Sequence, residues 1–181
     1  MPWAKLRVEG SLRDGGETTS SPVVLVSSPR YTANMAHRLN DLQDLTSSQS
    51  EVLALVEADA GLVATFFLTG GTLLKALGIV PRQSNDLDLF TFPSVDSHQY
   101  TQQAARLGSM LRERFGSGEI TETSQGFLHG SSGMLVDVVT DGSPNLDPFV
   151  AFDQLQTASL KDLAAHKASA LVSRDETKDY I

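Results

Sequence analysis

The sequence predicts an α/β (α+β) domain, a small mixed β-sheet flanked by helices. Three observations carry this reading. Short runs rich in β-branched and aromatic residues recur at 64–69, 86–92 and 134–139. Stretches with apolar residues three and four apart lie around them, the clearest at 97–115. Glycines at positions 61, 70, 71, 78, 116 and 133 mark the changes of period.

The elements follow in order. Residues 1–45 are weakly patterned and read as an N-terminal extension, with one short β-like run at Val23 to Val26. Residues 46–181 read as the folded domain. A helix is expected over about 50–60, where Val52, Leu53, Leu55 and Val56 make an apolar face and Gly61 stops it. A buried strand at 64–69 ends on Gly70-Gly71, and a short helix over 72–77 ends at Gly78. The polar turn 81–85 leads into a strand at 86–92. Over 97–115, Tyr100, Ala104, Leu107, Leu111 and Phe115 build one helical stripe. Short strands are expected at 119–123, 126–129 and 134–139, then a two-proline loop at 141–148. A last helix spans 159–173, with Ser159 and Asp162 in the pattern of a capping box.

Composition excludes several classes. With no cysteine, a disulfide framework, a thiolate metal site and a cysteine nucleophile are ruled out. That absence fits a reducing cytoplasm, the expected location. The longest apolar runs reach about six residues, against the roughly 20 that a bilayer crossing takes, so no membrane partner is expected. A net charge of −8 argues against a protein that coats nucleic acid nonspecifically. The excess is local: residues 86–160 hold 3 basic and 10 acidic side chains. Those carboxylates are either a solvated surface or, in part, a cluster that holds a divalent cation.

Chemistry concentrates on a few residues. Asp86 and Asp88 are two apart on a predicted strand, so their carboxylates share a face while Leu87 and Leu89 point to the core. Adjacent carboxylates repel unless a cation lies between them, and hard oxygen ligands suit Mg²⁺ or Mn²⁺. The plainer alternative is an edge strand with a polar outer face. Asp137 interrupts an otherwise apolar strand, where a lone charge is costly. Either it joins Asp86 and Asp88 as a third carboxylate, or it pairs with an arginine. Three carboxylates are what two-metal phosphoryl or nucleotidyl transfer uses. Gly70-Gly71-Thr72 follows a strand and opens a helix, which allows backbone N–H groups to approach a phosphate. A simple turn is the alternative.

In the last helix, Leu160, Leu163, Ala164 and Leu171 form one face at 100° per residue, and Lys167 falls near its middle. Lys167 either snorkels past its neighbours or reaches phosphate oxygens. Lys75 and Arg82 are further candidate phosphate contacts, each with an ordinary surface charge as its alternative. His37, His98, His129 and His166 show no metal-ligand spacing and read as structural or exposed.

Taken together, the run from Phe67 through Gly70-Gly71-Thr72 to Gly78, then Arg82-Gln83-Ser84-Asn85-Asp86-Leu87-Asp88-Leu89-Phe90, resembles the nucleotidyltransferase superfamily. Within it, the closer resemblance is to the AbiEii/AbiGii toxin family. It continues through Leu135-Val136-Asp137-Val138, Ala158 to Lys167, Arg174 and Lys178-Asp179-Tyr180-Ile181, and covers about residues 50–181. The resemblance implies a nucleotidyltransferase-like fold and transfer of NMP from an NTP to an acceptor hydroxyl. It implies that Gly70, Gly71 and Thr72 hold the triphosphate, with Lys75, Arg82 and Ser84 in the nucleotide-binding set. Asp86 and Asp88 become metal ligands and Asp137 the third carboxylate, helping to deprotonate the acceptor. Lys167 contacts the triphosphate, and Asp179 helps the acceptor react. The implied partners are the NTP, Mg²⁺ or Mn²⁺, the acceptor end of tRNA, and an antitoxin protein. Similar proteins continue into further helices after the position of Ile181, so the domain 46–181 is expected to lack their C-terminal helical part. The rival readings are a glycosyltransferase with a metal-holding Asp-x-Asp, an aminoglycoside-type small-molecule transferase, and an inactive nucleotide-binding remnant.

Overall fold

A computed structural model of the chain describes residues 37–140 and 143–173. Among the described residues lie five α-helices and one seven-stranded sheet. The order is α1 (Ser47–Glu57), α2 (Ala60–Val63), β1 (Phe66–Thr69), α3 (Gly70–Ala76), β2 (Leu87–Thr91) and α4 (Ser97–Phe115). There follow β3 (Ile120–Glu122), β4 (Gly126–His129), β5 (Met134–Val139), β6 (Val150–Phe152), β7 (Leu155–Thr157) and α5 (Leu160–Ser173). The expected β-like run at Val23 to Val26 lies outside the described residues.

The strands lie in the order β3-β4-β5-β2-β1-β7-β6. β1 pairs antiparallel with β2, while β2 runs parallel to β5 and β1 parallel to β7. The sheet is therefore mixed, as the alternation of strands and helices predicts. β6 and β7 form a hairpin that the sequence reading leaves unassigned. Each has three residues, too few to show a period of two.

Alternation on the central strands separates core from site. On β2, Leu87, Leu89 and Thr91 are buried while Asp88 and Phe90 are half-buried on the other face. On β5, Met134, Val136 and Val138 are buried while Leu135, Asp137 and Val139 take the second face. The core face packs under Val52, Leu53 and Val56 of α1, Leu62 of α2, and Leu107 and Leu111 of α4. Burial of each large apolar side chain there contributes about 1.5–3 kcal/mol.

Polar contacts fix the helices in place. Asp59 caps α2, accepting from the Gly61 and Leu62 N–H groups, and pairs with Arg106 of α4 at 2.5 Å. The Arg106 guanidinium holds the Asp59 carboxyl below its usual range. Tyr100 of α4 donates to the Val138 carbonyl at 3.1 Å. Gly108 sits where a Cβ would collide with the Phe127 ring, so α4 lies close against β4 only because the side chain is absent.

The start of α5 is anchored by Asp162, which is 4 % exposed. The Asp162 N–H donates to Ser159 Oγ at 3.1 Å, and the Ser159 hydroxyl donates to Asp162 Oδ2 at 2.5 Å. Asp162 Oδ1 accepts the Leu146 N–H at 2.7 Å. Burial works against this charge, but Ser159 and the Leu146 and Asp147 N–H groups outweigh it and hold the carboxyl low. The apolar face expected for α5 is rotated in the structure. Leu160 is 49 % exposed and Ala164 is exposed, while Asp162 and Leu163 face inward. Satisfying the Asp162 carboxylate sets that rotation, and the apolar count alone misplaces it. The Leu171 side chain lies outside the described residues.

Ser159→Ala removes the cap and one partner of a buried carboxylate. It should cost about 1–2 kcal/mol in urea unfolding at neutral pH. No change in the midpoint would contradict this anchoring of α5.

Candidate active site

The site forms on the half-buried face where β1, β2 and β5 meet. The parallel register puts Asp88 directly beside Asp137, and the antiparallel register puts Thr69 beside Asp88. Asp86 lies just before β2 and adds a third negative charge that acts on Asp88. Burial, then Asp137, then Asp86 push the Asp88 carboxyl up to about 6, against a hydrogen bond from the Gly71 N–H and the positive charge of Lys167.

The glycine turn is shaped around Asp88. Gly70 has φ +77°, and a Cβ there would overlap the Asp88 carboxylate. Both glycines lie within α3, so the helix starts two residues earlier than the sequence reading places it. A Cβ on Gly71 would stand 3.1 Å from Ser84 Oγ, which brings Ser84 to the rim of the same turn.

Lys167 on α5 is half-buried and close enough to Asp88 to favour its charged form. His166 beside it packs against Phe90 with the rings tilted and their centroids 5.5 Å apart. Its Nδ1 stands 3.4 Å from Thr69 Oγ1. Phe90 shares the Asp88 face of β2, so this contact ties α5 to the strand that carries the aspartate. The sequence reading treats His166 as structural or exposed.

Two expected contacts take a different form. Lys75 is 7 % exposed, and its ammonium donates to the Asp44 carbonyl at 2.5 Å and to Gln83 Oε1 at 2.7 Å. Its charge faces the loop before β2 and not the carboxylates, because α3 turns position 75 inward. Thr72 is 1 % exposed, and its hydroxyl donates to the Asp86 carbonyl and accepts from Gln49. Its side chain is thus committed to the fold. Arg82 is exposed on the same loop. Asp179, together with Arg174 and Lys178, lies outside the described residues.

The donor set is chemically right for a divalent cation: carboxylate oxygens only, held on adjacent strands, with mutual repulsion that a cation would relieve. Among the described residues, no three of His, Cys, Asp and Glu already converge as a metal-holding group. The fit therefore rests on the Asp88–Asp137 pair, with Asp86 near enough to act on Asp88 electrostatically.

A mixed sheet that sets aspartates side by side at a strand–Gly-Gly–helix turn defines a nucleotidyltransferase-like protein. The sequence profile described as "Nucleotidyl transferase AbiEii toxin, Type IV TA system" matches residues 53–181, and the chain belongs to that family. No curated protein and no solved structure matches the chain. Among the described residues, no helix is long and apolar enough to cross a membrane.

Repulsion at Asp88 gives a signed prediction for metal-free protein in chelator. Its folded value of about 6 lies above the unfolded 3.8. The folded state therefore binds the proton more tightly, and stability falls as pH rises from about 4 through about 6. Asp88→Asn, neutral throughout, should raise stability by about 1–3 kcal/mol at pH 8 and change it little at pH 4. A variant no more stable than wild type at pH 8 would contradict the repulsion.

Proposed function

We propose that this chain transfers a nucleoside monophosphate from an NTP to an acceptor hydroxyl, the tRNA acceptor end being the proposed acceptor. The single observation that carries the reading is the pairing of Asp88 with Asp137 beside the Gly70-Gly71 turn. Membership in a nucleotidyl transferase toxin family supports it.

In this reading Asp86 and Asp88 would hold Mg²⁺ or Mn²⁺, with Asp137 completing the shell. Such ions neutralise phosphate charge and polarise the reacting phosphorus. The turn at Gly70 and Gly71 would face the triphosphate, with Ser84 at its rim and Arg82 on the loop before β2. Lys167 supplies a positive charge to the phosphates from α5. Its neighbour His166, held on Phe90, fixes that helix.

The acceptor oxygen forms a new bond to the α-phosphorus. The bond from that phosphorus to the bridging oxygen breaks, and pyrophosphate leaves with the electron pair. The acceptor proton passes to the Asp137 carboxylate, which acts as general base. Asp179 is proposed to assist the acceptor. The second partner proposed is an antitoxin protein, because the family belongs to type IV toxin–antitoxin systems.

Incubation with each α-labelled NTP, Mg²⁺ or Mn²⁺ and total tRNA tests the reading. Label should move onto tRNA with wild type and fall at least about a hundredfold with Asp88→Asn or Asp137→Asn. Transfer by either variant at the wild-type rate would overturn the assignment. Label that moves to a small hydroxylated acceptor and never to tRNA would overturn the acceptor alone.

A further inference from the structure

Asp86 is placed by something other than the sheet. The β2–β5 ladder begins at Leu87, so Asp86 lies before the first paired residue. What holds it is a set of buried polar side chains beneath the loop that leads into β2.

Gln49 of α1 is at the centre of that set and is 1 % exposed. Its Oε1 accepts the Thr46 N–H at 2.9 Å, closing a capping box in which Thr46 Oγ1 accepts the Gln49 N–H at 3.2 Å. Capping uses only the oxygen of the amide. Its nitrogen donates away from the cap, to Thr72 Oγ1 at 3.2 Å and to the Ser84 carbonyl at 2.9 Å. The Thr72 hydroxyl in turn donates to the Asp86 carbonyl. Lys75, one helical turn on from Thr72, holds Gln83 at 2.7 Å. Gln83, Ser84 and Asp86 are thus gripped from below by Lys75, Gln49 and Thr72.

A buried amide costs stability unless every donor is used. An apolar residue would fill the same space in α1 without that demand. The amide at this position supplies direction: it fixes one loop in one place.

We propose that Gln49 is a positioning residue for the active site. Through Thr72 and Ser84 it fixes Asp86 relative to Asp88 and Asp137, and so sets the affinity of the three aspartates for a divalent cation. This rests on the reading of those aspartates as cation ligands. Gln49 lies before the stretch that matches the family, and touches none of the aspartate side chains among its hydrogen-bond partners.

Two measurements on the purified full chain test it: free Mn²⁺ titration by electron paramagnetic resonance, and hydrogen exchange over residues 82–88. Gln49→Met keeps the side-chain length and the Thr46 Oγ1 bond to the N–H of residue 49, but removes the amide, and with it the bond from the Thr46 N–H and the bonds to Thr72 and Ser84. It should weaken Mn²⁺ binding about tenfold, the low end of what removing a ligand's own hydrogen-bond partner costs, because Gln49 acts one link further out. It should also speed exchange over 82–88 while α4 exchanges as before. Thr72→Val breaks the same chain one link closer to Asp86 and should do likewise, which covers the case of a poorly folded Gln49→Met. Thr46→Ala removes the α1 cap alone; it should lower the melting temperature and leave Mn²⁺ affinity within about twofold. Wild-type Mn²⁺ affinity in folded Gln49→Met and Thr72→Val overturns the proposal. Equal weakening by Thr46→Ala also overturns it, because general loosening of α1 then suffices. If wild type binds no Mn²⁺, the reading of the aspartates fails and this inference with it. Mn²⁺ binding by wild type separates the two failures.

Discussion

The parallel pairing of β2 with β5 is the constraint from which the rest of this structure follows. It sets two carboxylates, Asp88 and Asp137, side by side in a half-buried position. Like charges at adjacent register positions repel, and burial strengthens the repulsion. The surrounding chain is built around that conflict. Gly70 has no side chain because the Asp88 carboxylate takes the space, and the Gly71 N–H turns toward the same carboxylate. Lys167 brings a positive charge from α5, which Ser159 and Asp162 anchor at its first turn.

The other face of the same strands decides that the fold persists despite this conflict. Leu87, Leu89, Val136 and Val138 are at most 3 % exposed. At about 1.5–3 kcal/mol each, their burial exceeds a repulsion of a few kcal/mol between the aspartates. A strand with period two can therefore hold an apolar core on one side and an electrostatically unfavourable site on the other. That division of labour lets the domain fold with the repulsion unrelieved.

Much of this is legible in the sequence because the signals are local. The alternation of Leu87, Asp88, Leu89 and Phe90 places both faces of β2, and the stripe from Tyr100 to Phe115 gives α4 its observed bounds. Asp137 stands out because every neighbour on its strand is apolar. Other features depend on tertiary contacts that no local pattern carries. β6 and β7 are too short to show a period. The phase of α5 is set by the buried Asp162, so counting Leu160 and Ala164 as core rotates the helix wrongly. Lys75 reads as a cation near phosphate until α3 turns it under the Gln83 loop. Gln49 had a sequence signal in the Thr46-x-x-Gln49 capping pattern, but its second role needs Thr72 and Ser84 brought in by the fold.

The site turns on the charge state of Asp88. Carbon-13 NMR of selectively labelled aspartate carboxyls, titrated with pH in chelator and again with Mg²⁺, reads it directly. Asp88 should titrate with a midpoint near 6 without metal. The midpoint should fall by at least about one pH unit when Mg²⁺ is added. A midpoint in the ordinary aspartate range, unmoved by Mg²⁺, would contradict both the repulsion at Asp88 and the proposed cation site.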